Sequence, residues 1–190
     1  MTLPRLRLRK RDQQRLRDGH LWVYSNEIDT DVTPLKSISG SLVHLEDYRG
    51  QFLATASFNA HALICARVLS AHPVTVLDTG FFQDRLTAAL RLRTAAFELP
   101  YYRLVYGEAD QLAGVIIDRF KDTVVVQLST QAMEDARAAL VAALRSVLGD
   151  SLQIVFKNDG KGRRIEGLTD YVETLVAPGQ MANPVLEVIE

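Results

Sequence analysis

A chain of 190 residues carries 22 Lys and Arg against 23 Asp and Glu, with 47% hydrophobic and 24% charged residues. That is the makeup of a folded protein of one or two domains, and no apolar run approaches the ~18 residues a membrane helix needs. Nor does an apolar stretch follow the basic N-terminus as in a secretory signal. Cys65 stands alone, which excludes an internal disulfide and a cysteine-built metal site and points to a reducing, cytoplasmic setting.

The formal charge of −1 conceals an asymmetry. Residues 1–20 hold Arg5, Arg7, Arg9, Lys10, Arg11, Arg15 and Arg17 against Asp12 and Asp18 only, leaving 15 basic and 21 acidic groups for the rest. A basic end on a mildly acidic body points to a polyanionic partner. A solvated strand face would also carry such charge, since basic residues on an edge strand discourage aggregation.

In chain order, Arg5-Leu6-Arg7-Leu8-Arg9 alternates strictly, the signature of a half-buried strand. Asp12–Asp18 reads as a short helix stopped by Gly19. Strand-like runs follow at Leu21–Tyr24, Ser41–Glu46, Phe52–Phe58 and Leu63–Leu69, separated by turns at Asp47-Tyr48-Arg49-Gly50 and Asn59-Ala60-His61. One short helix among short strands predicts a small mixed β-barrel. Trp22 is expected in its core.

His72-Pro73 begins a linker, and the pattern changes at Asp78. A helix is expected from there to Phe97, capped by Asp78 or Thr79, with Phe82, Leu86, Leu90 and Phe97 on its apolar stripe beside Ala89. Strands are expected at Tyr102–Tyr106, Val115–Asp118 and Thr123–Ser129, the last two joined by an Arg119-Phe120-Lys121-Asp122 turn. A single helix over Gln131–Leu148 comes next, then strands at Leu152–Lys157, Tyr171–Val176 and Val185–Ile189. That final run reads as a strand cut off in mid-course, as in a domain fragment. The whole is α+β: a barrel over about 1–75, then a domain of strands packed with two main helices over about 78–190.

Two stretches carry candidate chemistry beyond the basic opening. Gly107-Glu108-Ala109-Asp110 sets two carboxylates on a turn. With no histidine, nucleophile or metal ligand nearby, bonding of backbone amides or Arg119 is the expected role, and a small complete enzyme using Glu108 and Asp110 is the rival. Lys157 to Leu168 reads as a glycine-rich polar loop with four basic residues and no Walker spacing. It is equally readable as a phosphate contact or a mobile surface loop. Cys65, in a predicted strand, is expected as a buried, unactivated thiol.

"GHLWVYSNEI" and "GSLVHLEDYRGQFLATASFNAHALICARVLS" resemble the N-terminal PUA domain, an RNA-binding module, of the class I cytosine-C5 methyltransferases that act on large-subunit ribosomal RNA. Gly19, His20, Trp22, Val23, Tyr24, Ser25, Glu27 and Ile28 agree with the family pattern; Leu21 and Asn26 replace its proline and glycine. "YRLVYGEADQLAGVIIDRFKDTVVVQLST" is similar to the family's central α+β domain at Arg103, Gly107, Glu108, Asp110, Leu112, Gly114, Asp118, Arg119 and Asp122.

The resemblance implies a structured ribosomal RNA partner, S-adenosylmethionine as methyl donor of the full-length family, and a catalytic Rossmann domain that this chain lacks. No catalytic, cofactor-binding or metal-ligating residue is therefore expected here, and the chain alone is expected to be inactive. Expected RNA-binding residues are Arg5, Arg7, Arg9, Lys10, Arg11, Arg15, Arg17, His20, Asn59, His61 and Arg67. A stand-alone protein-interaction or oligomerisation module is the second rival, and a homodimer is left open.

Overall fold

The computed structural model describes residues 2–177 and 179, which divide into two compact units between Val76 and Leu77. The expected strand Val185–Ile189 lies outside the described residues.

In the first unit, β1 (Arg5–Arg7), β2 (Trp22–Tyr24), β3 (Leu42–Glu46), β4 (Phe52–Phe58) and β5 (Ile64–Ser70) form one sheet in the order β1-β3-β4-β5-β2. β1 runs parallel to β3, and the other neighbours are antiparallel. The sheet curls until its edges meet. Leu8 bridges Ile28, with the Arg9 amide donating to Glu27 O and the Asp29 amide to Arg7 O, each at 2.9 Å. Backbone groups that an edge would leave bare are thus paired, the usual reason for a small sheet to close. The alternation in the opening makes this possible: Leu6 and Leu8 point into a core with Val23, Ile28, Val43, Leu45 and Phe58. Between β1 and β2, α1 (Gln13–Arg17) ends at Gly19, whose φ of +95° only glycine adopts readily.

In the second unit, β6 (Tyr101–Tyr106), β7 (Val115–Phe120), β8 (Thr123–Leu128), β9 (Gln153–Asn158) and β10 (Tyr171–Leu175) form a second sheet in sequential order. Only β8 and β9 are parallel, so a helical crossover must join them. It is made by α3 (Gln131–Asp135) and α4 (Arg137–Leu148). The long helix α2 (Thr79–Ala96) packs against α4, its first turn capped by Asp78 Oδ1, which accepts the Phe81 amide at 2.8 Å. A last short helix, α5 (Lys161–Ile165), connects β9 to β10.

Four local expectations change. Ala136 leaves helical geometry (φ −91°, ψ 8°), so one expected helix is two. β7 extends through Phe120, and the turn shrinks to Lys121-Asp122 with Lys121 left-handed at φ +56°. The glycine-rich loop holds α5. Phe97 is 51% exposed and lies against the buried ring of Tyr102, with centroids 5.4 Å apart; α2 ends one residue before it and turns it off the buried stripe.

Candidate nucleic-acid interface

The first unit sorts its basic residues into two sets. Arg5 and Arg7 both reach Glu46, at 3.1 and 3.2 Å, and Arg17 reaches Asp47 at 3.2 Å. Arg15 pairs with Glu27 and lies over the Tyr24 ring. All three carboxylates are more than nine-tenths buried, so each needs a cation or an amide to stay charged. Glu27 Oε2 also accepts the Tyr24 amide at 2.7 Å, and Asp47 Oδ1 accepts the amides of Gln51 (3.0 Å) and Arg49 (2.9 Å). The Gln51 amide foremost, then that of Arg49 and the nearby Arg17 and Arg49 charges, hold the Asp47 carboxyl below its usual range against the opposing pull of burial. These four arginines brace the barrel's own acids.

Arg9, Lys10 and Arg11 are different. They occupy the turn between β1 and α1, exposed, and none forms an ion pair among the described residues. Arg11 holds φ +85°, a conformation that costs an arginine energy and keeps three cations at one bend. Lys10 and Arg49 both approach the Tyr48 ring, 5.9 and 5.1 Å from its centroid. The result is an aromatic ring flanked by two cations, suited to phosphate and base together.

A second aromatic lies on β2. Trp22 is 40% exposed rather than in the core, and the Arg67 guanidinium of β5 sits 5.6 Å from its ring centroid. The pair faces across the β2–β5 ladder, where Trp22 and Arg67 are register partners. Strand period explains the exposure: Val23 takes the inward position, so its neighbour Trp22 points out. Close in sequence, His20 is exposed and lines a cleft of about 190 Å³ with Leu16, Arg17, Leu53 and Val68. Asn59 and His61 lie in the β4–β5 turn, where Asn59 Oδ1 accepts the His61 amide at 2.9 Å.

Tyr48 and Arg49 were missed in the sequence because they read as an ordinary turn. Their signal was faint: an aromatic beside an arginine, three residues from the buried Glu46.

In the acidic turn of the second unit Asp110 bonds a backbone amide, as expected, and its cation is Arg93 and not Arg119. Asp110 receives both arms of the Arg93 guanidinium from α2 (2.8 and 2.7 Å) and the Tyr106 amide (2.7 Å). Arg119 instead donates to Lys121 O and the Tyr102 hydroxyl. Cys65 is buried at 1% exposure, and burial pushes its thiol up to about 12. Such a thiol is not a nucleophile at neutral pH. Among the described residues no group of His, Cys, Asp or Glu is placed to hold a metal, and no helix is long and apolar enough to cross a membrane.

Residues 6–71 match the PUA-like domain family, so the chain is a PUA-like barrel followed by an α+β unit. Over 168 residues it is 34% identical to "Ribosomal RNA large subunit methyltransferase I" of Klebsiella pneumoniae, covering 87% of this chain and 41% of that protein. The same-named protein of Pseudoalteromonas translucida is 35% identical over 156 residues, covering 80% of this chain and 39% of its own. By sequence the chain fits the N-terminal portion of this methyltransferase family, spanning about two fifths of the length of the curated relatives it matches. Two solved structures share the fold at 19% identity, each covering 95% of this chain and 44% of theirs. They are a putative SAM-dependent methyltransferase from Streptococcus mutans (TM-score 0.72) and a putative methyltransferase complexed with SAH (TM-score 0.70).

Proposed function

We propose that this chain is the RNA-holding part of an S-adenosylmethionine-dependent methyltransferase that forms 5-methylcytosine in large-subunit ribosomal RNA, acting in the cytoplasm. The relatives' shared name and the PUA-like barrel support the substrate class. The carrying observation is the split among the basic residues: those beside Glu46, Glu27 and Asp47 are committed, whereas Arg9, Lys10 and Arg11 are left to a partner.

In this reading the β1–α1 turn grips phosphates, which positions the RNA without reading its sequence. Trp22 with Arg67 offers a stacking face, and His20 stands at the mouth of an apolar cleft beside them in sequence. Asn59 and His61 add contacts at the β4–β5 turn.

The described residues do not suit the methyl donor itself. The one strand that leads into a crossover helix, β8, does so through Ser129-Thr130, without glycine, and Thr130 is packed against Gly114. No step of methyl transfer is assigned to them.

The test is RNA affinity of the full chain against salt. Each neutralised phosphate contributes about 0.7–0.9 to the fall of log affinity per log unit of salt. Replacing Arg9, Lys10 and Arg11 by alanine should lower the slope by about 2. Replacing Arg5 and Arg7 should leave it nearly unchanged and lower the melting temperature instead. The reverse pattern would sink the assignment.

A further inference from the structure

The second unit carries a cleft of about 250 Å³ that the basic turn does not touch, at the carboxyl end of the parallel pair β8–β9. Open sheets with parallel strands commonly take ligands outside those ends. Here Ile116 contributes an apolar patch; Gln127, Ser129, Asn158 and Lys161 contribute polar groups; Gly160 and Gly162 of the α5 segment complete the wall. The volume is below the ~300–1,000 Å³ of drug-sized sites, which suits one flat ring and its substituents.

Two of the cleft's polar groups, Gln127 and Lys161, are uncommitted. Asn158 is 1% exposed; its Oδ1 accepts the Leu128 amide at 2.7 Å, which fixes the amide's orientation, and its Nδ2 completes no hydrogen bond. That Nδ2 has no surface open to the cleft and lies toward the Tyr171 phenol, which the Asn158 amide favours in its ionised form against burial and Glu134. The Gln127 carboxamide forms no hydrogen bond among the described residues, and Lys161 no ion pair. Lys157 is engaged by Asp159 at 2.8 Å. Arg163 faces away into a buried network and adds no free charge.

An open carboxamide and an ammonium beside an apolar patch define a ligand chemistry. A carboxamide presents a donor and an acceptor side by side, as the edge of a nucleobase does, and a lone lysine suits the attached phosphate. We propose that this cleft is a nucleotide subsite that holds one unpaired base through Gln127, against the wall fixed by Asn158, with its phosphate at Lys161. The proposal rests on the RNA-binding reading only for the source of that base. A free nucleotide offers the same chemistry.

Gly162 supplies a clean probe. A Cβ built there would lie 3.7 Å from Ser129 Cβ, an ordinary contact, and its backbone is not left-handed. Gly162→Leu therefore fills the cleft without backbone strain, while Gln127→Leu removes the amide at similar volume. The full chain, labelled with ¹⁵N, is titrated in parallel with the four nucleoside monophosphates, with a single-stranded RNA hexamer and with inorganic phosphate. The Gln127 and Asn158 side-chain amides and the backbone amides of Gly160, Gly162, Arg9, Lys10 and Arg11 are followed.

A monophosphate or the hexamer should shift these signals. Gln127→Leu should weaken that response at least 5-fold, and Gly162→Leu should abolish it with the fold intact by circular dichroism. Response to the hexamer alone identifies RNA as the source; response to monophosphates alone identifies a free nucleotide. Equal response to inorganic phosphate overturns the base-binding claim. Shifts confined to the Arg9–Arg11 turn overturn the subsite and leave the RNA-binding reading standing. Silence at both places overturns both.

Discussion

Glu46 shows how one buried carboxylate can consume two arginines that look free in the sequence. Arg5 and Arg7 are two residues apart on a strand, so both side chains project from the same face, and the parallel pairing of β1 with β3 brings Glu46 alongside Arg7. Asp47 adds a pH signature. Its carboxyl titrates below the ordinary value in the folded chain, so its contribution is fully present above about pH 4 and lost as pH falls through the lowered folded value. Asp47→Asn should therefore flatten the acid limb of a stability-versus-pH curve measured by urea unfolding; an unchanged limb would refute this role. Trp22, the chain's single tryptophan, makes a built-in reporter. Because it is exposed beneath Arg67, its emission should shift or quench when RNA binds, and Arg67→Ala should alter both the free spectrum and the response. An emission that ignores saturating RNA would remove Trp22 from the interface.

Elements are held in register by a few contacts that no propensity scale contains. Before β7, Gly114 has φ +84°, and a Cβ there would fall 2.6 Å from Thr130 Cγ2 and 2.8 Å from its Oγ1. Its carbonyl also accepts the Ser129 amide at 2.9 Å, which ties the start of β7 to the end of β8. Gly114→Ala should combine backbone strain with a clash and destabilise by about 2–4 kcal/mol, read as a lower urea midpoint. A change under ~0.5 kcal/mol would show that the Thr130 side chain simply moves aside. The α5 segment depends on Arg163, whose guanidinium donates to Leu128 O (3.0 Å), Thr169 O (2.6 Å) and Glu134 Oε2 (2.6 Å). Tyr171 donates to the other Glu134 oxygen at 2.9 Å, so β8, α3, α5 and β10 meet at one ion pair. Removing one member of a buried pair strands the other. Arg163→Met should cost about 3 kcal/mol, and Arg163→Met with Glu134→Gln should cost less than the sum of the two changes. Additive costs would dissolve the network.

At the scale of the whole molecule, opposite charge distributions explain how a nearly neutral protein can attract a polyanion. The excess of acids lies in the chain after residue 20, while Arg9, Lys10 and Arg11, which form no ion pair among the described residues, share one turn. Affinity for RNA should then fall with salt even though the net charge is −1, because phosphates respond to the local patch and not to the total. A salt-independent affinity would argue for a protein partner instead.

Much of this fold is legible in the sequence by itself. Period-2 alternation located Leu6 and Leu8 in the barrel core, and the apolar stripe of α2 and its Asp78 cap are written in residues close along the chain. The family resemblance rests on equally local words, such as "GHLWVYSNEI". What only the tertiary structure decided is which charges cancel. Arg7 and Glu46 stand 39 residues apart, Arg93 and Asp110 17, and Arg163 and Glu134 29. Ion pairing depends on distance in space and on burial of the acid, and neither is encoded in composition or spacing. The sequence could count the arginines; closure of the sheet determined which of them remain available.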